Sequence, residues 1–125
     1  MEQQEVKPAE KAWNVGGTLF NATVADWHRA AADDAIATCA EWVYRFSKMG
    51  EMNPNTIVNI QLFGSDGRVD EKKYLGYTMQ LLMAITKGTQ DRVETAGHLK
   101  VSEIAMVSAA KLGWIKSKDL VNEKG

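Results

Sequence analysis

Cysteine is almost absent from this chain, and that alone removes several classes of protein. The one thiol, Cys39, cannot form an intramolecular disulfide or a multi-cysteine zinc site, and so sparing a use suits a reducing compartment. Excess charge of either sign is missing too. A formal net charge of −1 gives no global attraction to nucleic acid or to an anionic membrane surface, so any such binding has to come from a local patch. No apolar run approaches the roughly 20 residues of a membrane span, and the opening residues MEQQEVKPAEK lack the basic and then apolar layout of a secretory leader. A soluble, cytoplasmic protein without membrane contact is therefore expected. Histidine is scarce as well, with only His28 and His98. Their separation in sequence leaves a metal or acid–base site dependent on the fold bringing them together.

What is present is ordinary globular composition with strong helical patterning. Residues 1–12 are polar and aperiodic and are expected to form a flexible tail. Residues 13–116 read as a single domain, and 117–125 as a second tail. The longest patterned stretch runs from Thr23 to Met49 and is expected to be one helix. Thr23 is its N-cap and Asp26 the acidic partner of a capping box, alanines fill the interior, and Gly50 serves as the stop. Ala32, Ile36, Cys39, Ala40, Val43 and Phe46 make one apolar stripe, with Trp27, Ala31, Ala35, Thr38 and Trp42 beside it, so this helix needs two neighbours. A second helix is capped by Asp70 and expected to run to Lys87 with Gly88 just past its end. Val69 and Tyr74 have the spacing of a hydrophobic staple. A third opens at Ser102 and Glu103 and ends at Gly113, after which Trp114 and Ile115 are expected to fold back on the core. Between the second and third, Thr89 to Val101 is a polar connection with one turn of helix around 91–96, broken at Gly97.

Residues 55–63 are ambiguous. Val58, Ile60 and Leu62 alternate as a strand would, whereas Ile57, Ile60 and Phe63 fit a helical turn; the balance favours helix, since the only visible strand partner, Gly17 to Phe20, is short. The fold class expected is thus mainly α, a compact bundle of three principal helices with one short element near 55–63. Met52, Met79 and Met83 are expected to fill gaps in its core.

Motifs with chemistry of their own are hard to find. The pair Gly16-Gly17 is a bend, because no Gly-Lys-Ser/Thr ending follows to hold phosphate and magnesium. The acidic residues around Gly64 to Gly67 miss the ligand spacing of an EF-hand. Asp34 and Glu41 stand two helical turns apart, and His28 shares a face with neither Asp33 nor Asp34. Cys39 lies on the apolar stripe, where a thiol is inert. No catalytic residue, cofactor or metal is expected, and the protein reads as a non-enzyme.

Two functional readings remain. In the first, helices with such broad apolar arcs carry more apolar surface than one small core consumes. The protein is then an accessory subunit or self-associating module that binds a protein partner or forms a homo-oligomer, with Trp27, Trp42 and Tyr44 as interface anchors, since aromatic residues dominate binding hot spots. In the alternative, the protein associates with nucleic acid through Lys100, Lys111, Lys116 and Lys118. There SEIAMVSAAKLGWIKSKDLVNE has the outline of a helix-turn-helix around Gly113, although Asp119 occupies the position where its second helix needs an apolar anchor.

Overall fold

The structure is a computed structural model that describes residues 13–117. The tail expected over 1–12 and the second tail beyond Ser117, Lys118 included, lie outside the described residues. The element order is α1 (Val24–Arg29), α2 (Ala32–Ser47), α3 (Met49–Met52), β1 (Thr56–Val58), α4 (Glu71–Thr89), a 3₁₀ turn at Gln90–Arg92, α5 (Val93–Ala96), α6 (Val101–Lys111) and β2 (Ile115–Ser117). The chain is mainly α, and α2, α4 and α6 are the three principal helices expected. Among the described residues no helix is long and apolar enough to cross a membrane.

Helix α2 is the centre of the molecule. Ala35, Ala37, Thr38, Cys39, Ala40, Trp42, Val43 and Phe46 are all buried, which covers most of its circumference, and it packs most extensively against α4. Small residues at Ala35, Cys39 and Ala40 let neighbouring backbones come close. On another side the lead-in to the domain threads directly over the helix. Thr18 donates from its backbone N–H to Asp34 Oδ1 at 2.7 Å and from its hydroxyl to Asp34 Oδ2, and Leu19 N–H donates to the buried Thr38 hydroxyl at 3.2 Å. The Gly16-Gly17 bend makes this path sterically open: Gly16 has φ 85°, and a Cβ on Gly17 would sit 2.5 Å from Thr38 N.

The single helix expected from Thr23 to Met49 is instead two helices. Ala30 and Ala31 are both extended, with ψ 157° and 145°. Alanine propensity is overridden by tertiary pairing. The indole rings of Trp27 and Trp42 stack with centroids 6.0 Å apart, whereas fifteen residues of continuous helix would hold them about 22 Å apart along the axis. The fold-back at Ala30-Ala31 is the only way to make that contact. Helix α1 is then fastened at both ends. The expected capping box is present, with Asp26 N–H donating to Thr23 Oγ1 at 3.2 Å and Thr23 N–H to Asp26 Oδ2 at 3.3 Å, a cap worth about 1 kcal/mol. Val24 N–H donates to Leu99 O, Ala25 N–H to Gly97 O and Val101 N–H to Ala22 O, at 2.8, 3.1 and 3.0 Å. Trp27 Nε1–H reaches Thr86 Oγ1 at 3.1 Å and His28 Nε2 lies 2.7 Å from Thr89 Oγ1.

Three further boundaries move for related reasons. Gly50 does not stop the helix: α2 ends at Ser47, and Gly50 lies within α3. Gly88 does not end α4, because Thr89 is buried, donates to Ile85 O at 2.7 Å and holds the last turn in place. The ambiguous segment is a strand: β1 pairs antiparallel with β2, Thr56 with Ser117, Ile57 with Lys116 and Val58 with Ile115. Its partner is therefore not Gly17 to Phe20 but the chain that follows α6. Beyond the ladder the alternation persists, with Ile60 and Leu62 buried and Asn59, Gln61 and Phe63 exposed. Asp70 caps α4 as expected, accepting from Lys72 and Lys73 N–H, and Trp114 and Ile115 are buried as expected.

The methionines, by contrast, are not core filler. The buried face of α4 is Tyr74, Thr78, Leu81, Ile85 and Thr89. Its polar atoms are satisfied, Thr78 donating to Tyr74 O one turn back and Tyr74 O–H to Ala40 O on α2, each at 2.8 Å. That leaves Met79 and Met83 on the outside, and Met52 is 71% exposed.

Two glycines give predictions of opposite sign. Gly17→Ala forces a methyl group into Thr38 and is expected to lower stability by about 1–3 kcal/mol. Gly76→Ala, in an exposed turn of α4 with nothing within 4 Å of the new methyl, is expected to raise it by about 0.5–1 kcal/mol. Urea titrations of dilute protein check both. Equal and small effects would mean that the lead-in does not lie on α2.

Candidate interaction site

Of the three aromatic anchors expected at an interface, the fold keeps one on the surface. Trp27 and Trp42 are 4% and 6% exposed. They stack on each other, and Phe20 meets Trp42 edge-on at 6.0 Å, so both are spent in the core. Tyr44 is 41% exposed. It stands two residues beyond Trp42 on α2, which turns it about 200° round the helix.

Tyr44 is not a lone surface aromatic. The loop leading to α4 brings Phe63, itself 38% exposed, edge-on to it with ring centroids 6.4 Å apart. Phe63 is fixed there by a tight turn. It bridges Val69 across Gly64 to Arg68, with Gly64 N–H donating to Arg68 O at 2.7 Å, Arg68 N–H to Asp66 Oδ1 at 3.0 Å, and Gly67 in the left-handed region at φ 81°. The Gly64-Ser65-Asp66-Gly67 turn read from composition is thus what positions the second ring. Lys48 completes the cluster, its ammonium 4.8 Å from the Phe63 centroid and 5.8 Å from that of Tyr44. Cation–π contacts of this kind hold both rings in place.

Depressions lie on both sides of this aromatic ridge. One, of about 340 Å³, is lined by Asn14, Val15, Glu41, Tyr44, Arg45, Val69 and Tyr74. The other, of about 310 Å³, is lined by Ser47, Ile60, Gln61, Leu62 and Phe63. The first has apolar walls and a few polar groups at its edge, Asn14 among them, with a carboxylate and a guanidinium one helical turn apart at Glu41 and Arg45. Burial pushes the Tyr74 phenol above its ordinary value, with a hydrogen bond from Asn14 pulling the other way. Tyr74 therefore forms a neutral floor. Arg45 also stacks over Phe20 at 5.2 Å, so the guanidinium is held rather than free to wander. Phe63 and the cleft were not legible beforehand, because they depend on the turn at 64–68 meeting α2. The only hint was the run of apolar residues ending in a glycine-rich turn.

Of the lysines proposed for nucleic acid, Lys100 and Lys111 stand at opposite ends of α6. Lys100 precedes α6 and Lys111 ends it, which places them about 16 Å apart along the axis. Lys116 points from β2, and Lys118 is outside the described residues. The helix-turn-helix outline is overturned by the same strand: after Gly113 the chain enters β2, at the place where a second helix should begin. His28 is engaged with Thr89, and His98 is exposed on the loop before α6. Among the described residues no group of three His, Cys, Asp or Glu side chains could hold a metal ion. Cys39 is fully buried, and desolvation drives its thiol well above the ordinary value.

No family model matches the chain, and no match was found among curated proteins or solved structures.

Because Cys39 is sealed between α2 and its neighbours, it is expected to resist a thiol reagent at pH about 8 for as long as the protein stays folded, and to react fully once urea unfolds it. Stoichiometric labelling within minutes in native buffer would contradict the packing of α2.

Proposed function

We propose that this protein is a small, non-enzymatic interaction module that grips a protein partner at the Tyr44–Phe63 ridge. One observation carries this reading. Two aromatic rings stay exposed side by side, braced by one lysine, between two hollows that could each take part of an incoming chain. Exposing aromatic surface is costly in water, and a pre-braced pair offers a partner a large contact area with little side-chain entropy left to lose. Each hollow lies at the small end of the range for ligand pockets. That size suits single side chains of a bound segment better than a metabolite enclosed on all sides. An accessory or adaptor role is the consequence, with Glu41 and Arg45 supplying orientation at the edge of the larger hollow. The buried Cys39 and the engagement of His28 with Thr89 favour a binding role over catalysis.

The reading is tested by selecting a displayed library of random peptides on the immobilised protein. Peptides with an aromatic or aliphatic anchor are expected, and Tyr44→Ala is expected to weaken them by about tenfold to a hundredfold while leaving the circular dichroism spectrum unchanged. Peptides that bind Tyr44→Ala and Phe63→Ala as well as the parent would remove the ridge from consideration.

A further inference from the structure

The larger hollow beside Tyr44 carries two charges in its wall, and only one of them is engaged. Glu41 and Arg45 stand four residues apart on α2, in the order that favours an ion pair within a helix. They do not make one: among the described residues the ion pairs are Arg29 with Asp26 and Lys48 with Glu51. Arg45 is turned to Phe20 instead, its guanidinium carbon 5.2 Å from the ring centroid. Glu41 is half-buried and is left with neither ion pair nor hydrogen bond among the described residues. A carboxylate in that position has given up part of its water and gained no partner in exchange.

The other groups of the hollow suit a cation at that carboxylate. Tyr74 spends its hydroxyl on the fold, donating to Ala40 O at 2.8 Å and accepting from Asn14, so its ring and not its oxygen is left to meet a ligand. Tyr44 follows Glu41 by three residues, on the same side of α2. The face of a tyrosine ring attracts a cation and offers an anion nothing. Glu41 and Glu71 both push the Tyr74 phenol up, so acids act at the floor of the hollow. The nearby cations stand elsewhere. Lys48 lies 3.8 Å from Glu51, Arg68, Lys72 and Lys73 are exposed, and none of the four lines the hollow.

We infer, on the reading that the Tyr44–Phe63 ridge is the binding surface, that the hollow receives a basic side chain, arginine or lysine, from the protein segment bound across that ridge. Its charged head meets the Glu41 carboxylate, and its aliphatic stem lies along Val15 and Val69. At about 340 Å³ the hollow takes one such side chain, and is small for an entire ligand. The partner is then recognised by a basic residue next to the aromatic or aliphatic one that covers the ridge. An acidic residue at the same place is repelled by Glu41.

Nuclear magnetic resonance titration of the full chain with acetyl-arginine amide tests the hollow without a partner. Resonances of Glu41, Tyr44 and Tyr74 should shift with a Kd of about 1–10 mM, as suits so small a ligand. Acetyl-citrulline amide, the neutral isostere, should bind about tenfold more weakly, and acetyl-glutamate amide should leave those resonances unmoved. Glu41→Gln should abolish the preference for arginine over citrulline, and Glu103→Gln, an exposed carboxylate on α6, should keep it. Among peptides selected on the immobilised protein, arginine or lysine should recur beside the apolar anchor. Replacing that residue by citrulline or norleucine should weaken binding to the parent about tenfold, and binding to Glu41→Gln hardly at all. Arginine and citrulline bound alike, or a preference that survives Glu41→Gln, overturns the assignment of the hollow. So do peptides that depend on Tyr44 yet carry no basic residue, and those results leave the ridge standing. Peptides indifferent to both Tyr44→Ala and Phe63→Ala would instead remove the ridge, and with it the segment that brings the basic residue, whether or not the hollow takes acetyl-arginine amide.

Discussion

The stack of Trp27 on Trp42 is the contact on which the rest of the structure depends. Two rings fifteen residues apart can meet only if the helix between them breaks, and the break at Ala30-Ala31 sends α1 back across the end of α2. Once there, α1 joins two parts of the chain that are distant from it in sequence. Its indole N–H reaches α4 at Thr86, its neighbour His28 reaches Thr89, and its N-terminal backbone pairs with the segment just before α6. A helix of six residues has almost no stability of its own. It persists because each end is held by something else, and in turn it sets the positions of α4 and α6 against α2.

The division of the chain into principal helices was legible from local signals, and the joints between them were not. The cap at Asp70, the turn at Gly64 to Gly67, the stop at Gly113 and the return of Trp114 to the core are all decided by residues within a turn of the feature itself, so periodicity and capping chemistry found them. The failures share a cause of the opposite kind. Ala30 and Ala31 have the best helix propensity available and are extended, because a ring fifteen residues away wins more than two alanines lose. Asp33 and Asp34, in the first turn of α2, were the local clue that a helix starts there. Thr56 to Val58 became a strand because its partner lies nearly sixty residues downstream, beyond any local window. Gly88 failed as a stop because Thr89 has a buried place to occupy.

The same logic separates core from surface among the aromatic residues. Residue type alone put Trp27, Trp42 and Tyr44 on equal footing, and geometry divides them. The two tryptophans face the lead-in, α1 and α4, while Tyr44 projects from the side of α2 that no helix covers. There it is met by Phe63 and Lys48 rather than by the core. On α4 the exchange runs the other way: threonines whose hydroxyls are satisfied by the preceding turn take the buried positions, and the larger apolar side chains Leu75, Met79 and Met83 are left outside. Apolar side chains that the core does not take up are thus left on the outside of several elements, Tyr44 on α2, Leu75, Met79 and Met83 on α4, and Met106 and Val107 on α6.

The most direct test of that division is the equilibrium stability of Trp27→Ala measured beside Tyr44→Ala. Removing Trp27 takes away the stack, the bond to Thr86 and the reason for the break, and should cost about 3–5 kcal/mol, a large share of the 5–15 kcal/mol typical of a domain. Removing Tyr44 should cost under about 1 kcal/mol, as expected of an exposed residue. A Trp27→Ala protein that unfolds at the urea concentration of the parent would contradict the account, since it would put Trp27 on the surface and leave the fold-back of α1 without a cause.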